Sequence, residues 1–354
     1  MISMKKIAEI CQVSPGTVSK TLSNSAGVSS KTRSRILEVA RQFNYVPNAL
    51  VRSIQSGQSK TVAVACNSID DPWGSIVMHG ILETLERYNL EALVFNWDSN
   101  VRDGRHILRS MGERRVDGLI MFPPELIPPL DYLEELRNFK RPVIVVDQRW
   151  PNMEFDFVGT DDSIGARALT EHIIELGHRK IANLHFSSAS SGHIRLEEFY
   201  RVMGEKDVQI NPQWVADSHA NFEASYRQAV RWLSESSRPS AIICFNDLVA
   251  MAVLAAANDL KLHVPHELSI TGFCDLPIAS QVRPSLTTVK QNPVELGKEA
   301  AELLVREILE RQEEVNEAKE LDSLSDAKRK PHPRSVLLPT SIIVRQSTAR
   351  ASDG

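Results

Sequence analysis

The chain has 354 residues, 42% hydrophobic and 24% charged, which gives length for two or three domains and enough apolar side chains for their cores. No apolar run approaches the roughly 18 residues of a membrane span and no apolar export region leads the chain, so the sequence predicts a cytoplasmic protein with no membrane contact. The net charge of −4 hides an asymmetry: residues 1–60 hold nine Lys/Arg against two acids, net +7, leaving −11 for the rest, so the head alone is suited to a polyanion.

Ser3 is placed to cap a helix over Met4–Cys11, with Ile7 and Ala8 inward. After a short turn, Ser14 reads as the next N-cap and Pro15 as the first helical residue, where a missing N–H costs nothing. Val18 and Leu22 give this helix one apolar face, and Pro15, Gly16, Thr17, Ser19 and Lys20 crowd its start and outer side. Ser29 begins a third helix to about Asn44, with Ile36, Val39, Ala40 and Phe43 as its stripe. Two short helices across a tight turn, backed by a third, make a helix-turn-helix over 1–46 whose second helix enters the major groove.

Residues 47–60 read as a hinge helix and linker, with Asn48 as cap and Gly57 as stop. Nine or so residues make a marginal helix in water, so DNA would order it. Ile54 would be an apolar residue outside any core, suited to wedging into the minor groove.

From Thr61 on, "TVAVACN", "EALVFNW", "GLIMF" and "PVIVVDQ" read as buried parallel strands, with amphipathic helical stretches between them. "KIANLHF", "AIICFND" and "LSITGFCD" repeat the rhythm. The expected fold class is therefore α/β: a small all-α head and hinge, then a two-lobed body of doubly wound parallel sheets. Ligands in such sheets sit beyond the carboxyl ends of the strands, which selects Asn67–Trp73, Asp147, His185–Arg195, Asn246-Asp247 and Cys274-Asp275. The cysteines Cys11, Cys66, Cys244 and Cys274 form no CxxC and read as unpaired thiols. There is no GxGxxG, P-loop, GxSxG or HExxH, so no enzyme, metal or cofactor is expected.

The ordered motifs "KKIAEICQVSPGTVSKTLSNSAGVSSKTRSRILEVARQFNYVPNALVRSI", "ERRVDGLIMF", "VGTDDSIGARALTEHIIELGHRKIA", "AIICFNDLVAMAVLAAANDLKLHVP" and "PSLTTVKQNPVELGKEAAELL" resemble the lactose-repressor family of bacterial transcription regulators. The resemblance covers almost all of 1–348. It implies an effector-binding and dimerisation body over 61–348, with one lobe of about 61–161 and 292–320 and a second of about 162–290 and 335–348. It implies base reading by Pro15, Gly16 and Lys20, and phosphate contacts from Ser14, Thr17, Ser19 and Asn24. Tyr45, Asn48, Arg52 and Ile54 complete the DNA-binding set. In the body it points to Trp73, Asp147, Asp161, Arg195, Phe222, Asn246 and Cys274 around an effector, a sugar or sugar derivative by family habit. Cys274 departs from an aspartate usual in "GFDD", which puts the ligand class in question; His185 and His193 are candidates to compensate. Gln12 stands where the family's turn has glycine, and Glu198 replaces a usual glycine too. Residues 311–335 read as a helix extension and a charged loop. With no leucine-heptad tail, a homodimer on a near-palindromic operator is expected, most simply as a repressor. The alternative is a small-molecule receptor of the periplasmic type without DNA activity.

Overall fold

The computed structural model describes residues 2–22, 26–45, 58–97, 105–123, 130–150, 154–320 and 333–352. The head holds α1 (Met4–Cys11), α2 (Pro15–Leu22) and α3 (Ser30–Gln42). Ile7, Ala8, Cys11, Val18, Ile36 and Ala40 close its core. Ser3 caps α1 by accepting from the Lys6 N–H at 3.2 Å, and Ser29 caps α3 by accepting from Thr32 at 3.3 Å. Gln12 takes the left-handed conformation, φ 50° and ψ 46°, so a residue with a Cβ bears the strain of this turn. Phe43 was expected on the apolar stripe, but α3 stops one residue earlier and Phe43 is 46% exposed at its C-cap.

The first lobe is built on β1 (Thr61–Cys66), β2 (Glu91–Asn96), β3 (Gly118–Met121), β4 (Val143–Val146), β5 (Asp156–Thr160) and β11 (Ser335–Leu338). They form one parallel sheet in the order β11-β5-β4-β3-β1-β2. Alternate residues serve opposite faces, so both must be apolar. Val62, Val64, Ile120 and Ile144 face α4 (Pro72–Arg87) and α12 (Pro293–Glu320). Ala63, Leu119, Met121 and Val143 pack with residues of α5 (Arg105–Arg114) and α6 (Leu130–Arg137). The α4–α12 contact is backbone-close: a methyl on Gly80 would sit on the Val294 carbonyl, and one on Gly297 on that of Val77.

The second lobe has β6 (Ile181–His185), β7 (Val215–Asp217), β8 (Ala241–Cys244) and β9 (Ser269–Thr271), parallel in the order β7-β6-β8-β9. Its helices are α7 (Asp162–Glu175), α8 (Ser190–Glu205), α9 (Phe222–Leu233), α10 (Asp247–Asp259) and α11 (Pro277–Gln281). β10 (Thr288–Lys290) pairs antiparallel with β12 (Ser341–Ile343).

Two expectations need correction. Residues 335–348 were assigned to the second lobe, yet β11 extends the first lobe's sheet beside β5, with Ser335 opposite Phe157. Arg334 sets this register: its N–H donates to Asp156 Oδ1 at 2.7 Å, and its guanidinium meets Asp156 and Glu307. Only after β11 does the chain cross, and Ser347 then accepts from the Ile270 N–H in the second lobe. "EALVFNW" was read as a buried strand; β2 is a sheet edge, half-exposed along its length, because among the described residues β1 is its one strand neighbour.

The chain therefore passes between lobes near Asp161, Gln291 and Pro339. These crossings are tied together: Gln291 Nε2 donates to Thr160 Oγ1 at 2.9 Å and to Asp162 Oδ1 at 3.1 Å, and Thr340 Oγ1 donates to the Asp161 carbonyl at 2.7 Å. Among the described residues, no helix is long and apolar enough to cross a membrane.

Candidate DNA-reading helix and effector cleft

In the head, Val18 and Thr21 turn α2 inward, while Ser14, Pro15, Gly16 and Lys20 lie on its exposed side and Thr17 and Ser19 are half-buried. Ser14 Oγ accepts from the Thr17 N–H at 3.1 Å and lies 2.9 Å from Thr17 Oγ1, so it caps the helix it was expected to place on phosphate. A Cβ on Gly16 would meet only Ser14 Oγ, at an ordinary 3.6 Å. The protein's own packing does not require glycine there, whereas a surface pressed close to the backbone would. Tyr45 packs against the head's core, and its N–H donates to the Ala40 carbonyl at 2.8 Å. Asn24, Asn48, Arg52 and Ile54 lie outside the described residues. Just beyond the linker, Asp117 was missed as a functional candidate. This buried carboxylate accepts from the Ser59 N–H at 3.0 Å and the Lys60 N–H at 2.7 Å, fixing where the linker meets β3.

In the body, the strand-to-helix turns at the carboxyl edges of both sheets share a construction. Asp71 caps α4, Asp161 caps α7, Asn221 caps α9 and Asn246 caps α10, each accepting a helix N–H. Asp161 and Asn246 were expected to face the effector; Asp161 Oδ1 accepts from the Ile164 N–H and the Ser163 hydroxyl and Asn246 Oδ1 from the Val249 N–H, which leaves Asp161 Oδ2 and Asn246 Nδ2 without a hydrogen-bond partner among the described residues. The next residue in each case, Asp162 or Asp247, carries the buried charge.

Asp162 is 3% exposed and receives Arg195 Nε at 2.9 Å and Nη2 at 2.8 Å; Arg195 Nη1 donates to the Phe245 carbonyl at 2.7 Å. The guanidinium lies 3.7 Å from the Phe273 ring centroid and 4.7 Å from that of Phe245. Arg195 is thus held on three nitrogens by its own protein and lies against two of its aromatic rings. Asp247, fully buried, accepts from Thr288 Oγ1 at 2.6 Å and the Leu276 N–H at 2.7 Å; burial still pushes its carboxyl up to about 7. Asp275 pairs with Arg345. Cys274 is buried in a left-handed backbone, φ 107°, and burial raises its thiol well above the ordinary range, so it enters the cleft uncharged.

Across from this cluster, Asp147 sits at the end of β4 with φ 68°, and its carboxylate has no hydrogen-bond partner among the described residues. Desolvation, then the charge of Asp162 and, more weakly, Asp71, pushes it up to about 7 against the pull of Arg195. Trp73 is buried in the first turn of α4, and its Nε1 donor is unpaired. Phe222 was expected to stack on a ligand; it stands 51% exposed at the start of α9. His185 contributes to a small cavity beside Arg195, with Thr170, Asn183 and Phe245, and its Nδ1 is buried and unpaired. His193 is exposed. Glu198, buried, is held by Arg167 at 2.7 Å and so belongs to the α7–α8 packing. Gln291 was overlooked: its Nε2 contacts join the crossings to Asp162, although nothing in "VKQNPVEL" announces them. Among the described residues no group of three or more His, Cys, Asp or Glu is placed to hold a metal.

Residues 3–48 match the model of bacterial regulatory proteins of the lacI family, and residues 170–348 match a periplasmic binding protein-like domain. The ribose operon repressor of Haemophilus influenzae is 29% identical over 312 residues, covering 87% of this chain and 92% of that protein. The HTH-type transcriptional repressor PurR of Photobacterium profundum is 29% identical over 316 residues, covering 89% and 94%. Among solved structures, the Lac repressor dimer bound to operator and an anti-inducer superposes with a TM-score of 0.82 at 23% identity, over 98% of this chain and 99% of that one. A lacI-family regulator from Enterococcus faecium with bound ribose gives 0.67 at 23% identity, over 82% and 100%. A head that matches the regulator model, on a body whose own match spans half the chain, settles the assignment: the chain belongs to the lacI family of bacterial regulatory proteins.

Proposed function

We propose that this protein is a transcriptional repressor whose operator affinity is set by a small molecule held between the lobes. The observation that carries the reading is the pairing of two unfinished surfaces in one chain. One is the exposed, glycine-bearing start of α2 in a basic head; the other is an unpartnered Asp147 facing the Asp162–Arg195 cluster in a two-lobed body. Its relatives are named as repressors, and a neighbour holds ribose, which supports a hydroxylated effector here.

In this reading a homodimer presents two copies of α2 to a near-palindromic site in successive major grooves. Lys20 donates to guanine O6 or N7, and Pro15 and Gly16 let the backbone approach the groove. Phosphate contacts from Thr17, Ser19 and the linker fix the register. Asp117 passes movements of the first lobe to the linker through its two backbone contacts. The protein acts on DNA in the cytoplasm, associated with the nucleoid, and performs no catalysis.

Selection of binding sites from a random duplex pool with the full chain tests this. The expected result is a near-palindromic consensus whose affinity falls steeply with salt. Lys20→Ala should relax one base position in each half-site, by about 1–3 kcal/mol of discrimination. A pool that shows no enrichment overturns the regulatory reading and favours the receptor-like alternative.

A further inference from the structure

A second pocket lies outside the cleft, in the first lobe, where the chain leaves β4 and enters β5 and β11. It measures about 480 Å³ with its open mouth. One wall is apolar: Val145, Trp150 and Phe157 are buried and Phe155 is half-buried. Trp150 meets Trp97 and Tyr132 edge-on, with ring centroids 6.0 and 6.5 Å apart, so the lobe's own core fixes this wall. None of the described residues lining the pocket is among the cleft groups above.

Arg149, Glu154 and Arg334 bring charge to the pocket. Arg334 is already spent on Asp156 and Glu307. Arg149 is not. Its guanidinium lies 3.8 Å from the Phe157 ring centroid and its Nη2 donates to Ser335 Oγ, yet among the described residues no carboxylate pairs with it and Nε and Nη1 have no partner. Burial lowers its pKa, with no neighbouring acid to oppose the shift. Glu154 likewise makes no hydrogen bond or ion pair among the described residues, so the two opposite charges share the pocket without meeting. A guanidinium held over a ring with nitrogens to spare is shaped to receive a carboxylate. A carboxylate alone would answer Arg149 and leave Glu154 facing a second anion; an amine alone would do the reverse. A molecule that carries both charges on one carbon, with an apolar group beside them, satisfies the guanidinium, the acid and the aromatic wall together.

We propose that this pocket is a second ligand site, separate from the effector cleft, and that it takes a small α-amino acid with an apolar side chain, its carboxylate on Arg149, its ammonium on Glu154 and its side chain against Trp150 and Phe155. The site adjoins the cleft through the Arg149 backbone, whose N–H donates to Ser190 Oγ at 3.3 Å, from the first lobe to the first residue of α8 in the second. A ligand that grips the Arg149 side chain thereby fixes a residue that joins the lobes.

The test is titration calorimetry on the full chain at neutral pH, with leucine and phenylalanine as probes. Each is compared with the analogue that lacks the amine, isocaproate or hydrocinnamate, and the one that lacks the carboxylate, isopentylamine or phenethylamine. The expected result is that at least one amino acid binds and that both of its analogues bind at least about tenfold more weakly, the worth of one charge-assisted contact. Glu154→Gln should bring that amino acid down to the affinity of its amine-free analogue and leave the analogue itself no weaker. Arg149→Met, which keeps the packing on Phe157, should weaken the amino acid and the amine-free analogue alike. An unchanged Tm without ligand shows that a variant is folded; should Arg149→Met lower it, the exposed Glu154→Gln decides. Absence of binding by both amino acids overturns the proposal, as does an analogue that binds as tightly as its parent or binding that Glu154→Gln leaves untouched. None of these outcomes requires operator binding, so a negative result here leaves the repressor reading standing, and a chain that selects no operator can still hold an amino acid.

Discussion

The two walls of the cleft spend their polar groups differently. On the second lobe, Asp162 holds Arg195, Asp247 holds Thr288 and the Leu276 N–H, and Asp275 holds Arg345. On the first lobe, Asp147, Asn67 Oδ1 and Trp73 Nε1 are unmatched. A wall whose carboxylates are paired is held in place before any ligand arrives; a wall with an unpaired carboxylate gains more from one. The contrast assigns the second lobe the role of platform and the first lobe that of sensor, and the first lobe is also the one joined to the linker through Asp117.

The largest effect should come from breaking the platform. Arg195→Ala leaves Asp162 buried without its cation, a loss of about 3–5 kcal/mol that calorimetry would read as a sharp drop in Tm. An unchanged Tm would mean the pair is not holding the second lobe. Asp147 should behave in the opposite sense. Its carboxyl is raised to about 7 in the folded chain, against about 3.9 for an unperturbed aspartate. Between those values the folded state keeps a proton that the unfolded state has lost, so this group's contribution to stability falls as pH rises through that window. Asp147→Asn should therefore match the wild type near pH 4 and exceed it above pH 7 by on the order of 2 kcal/mol. A variant less stable than the wild type at pH 8 would show that Asp147 is already paid for by a partner. The smallest effect lies in the head: Gln12→Gly relieves the left-handed turn and should add about 0.5–1 kcal/mol to its stability, measured by thermal melting of the full chain.

The head was legible because its rules are local. Ser3, Ser14 and Ser29 cap the helices that begin beside them, and the strain at Gln12 is a matter of one residue's backbone. The alternation of apolar strands and helices gave the α/β body for the same reason. The cleft was less legible because Asp and Asn at strand-to-helix turns serve two purposes with one chemistry. In "GTDD" and "FND" nothing in the sequence says which residue caps and which turns inward; the structure spends Asp161 and Asn246 on caps and buries Asp162 and Asp247. β11 was misplaced because its partner β5 lies far back in the chain and its register depends on Arg334 meeting Asp156. Gln291 was overlooked because its partners, Thr160 and Asp162, are equally remote.

The most direct test of the whole account is linkage between its two ends. Fluorescence anisotropy of the selected operator, titrated with the full chain at fixed salt, would be repeated at a saturating concentration of a probe, the sugar or sugar derivative that most raises Tm. The account predicts a change in operator affinity of at least about fivefold, matched by an equal change in probe affinity when operator is bound. Identical operator affinity with and without a bound probe would contradict it, because a cleft that does not reach the head is a receptor and not a switch.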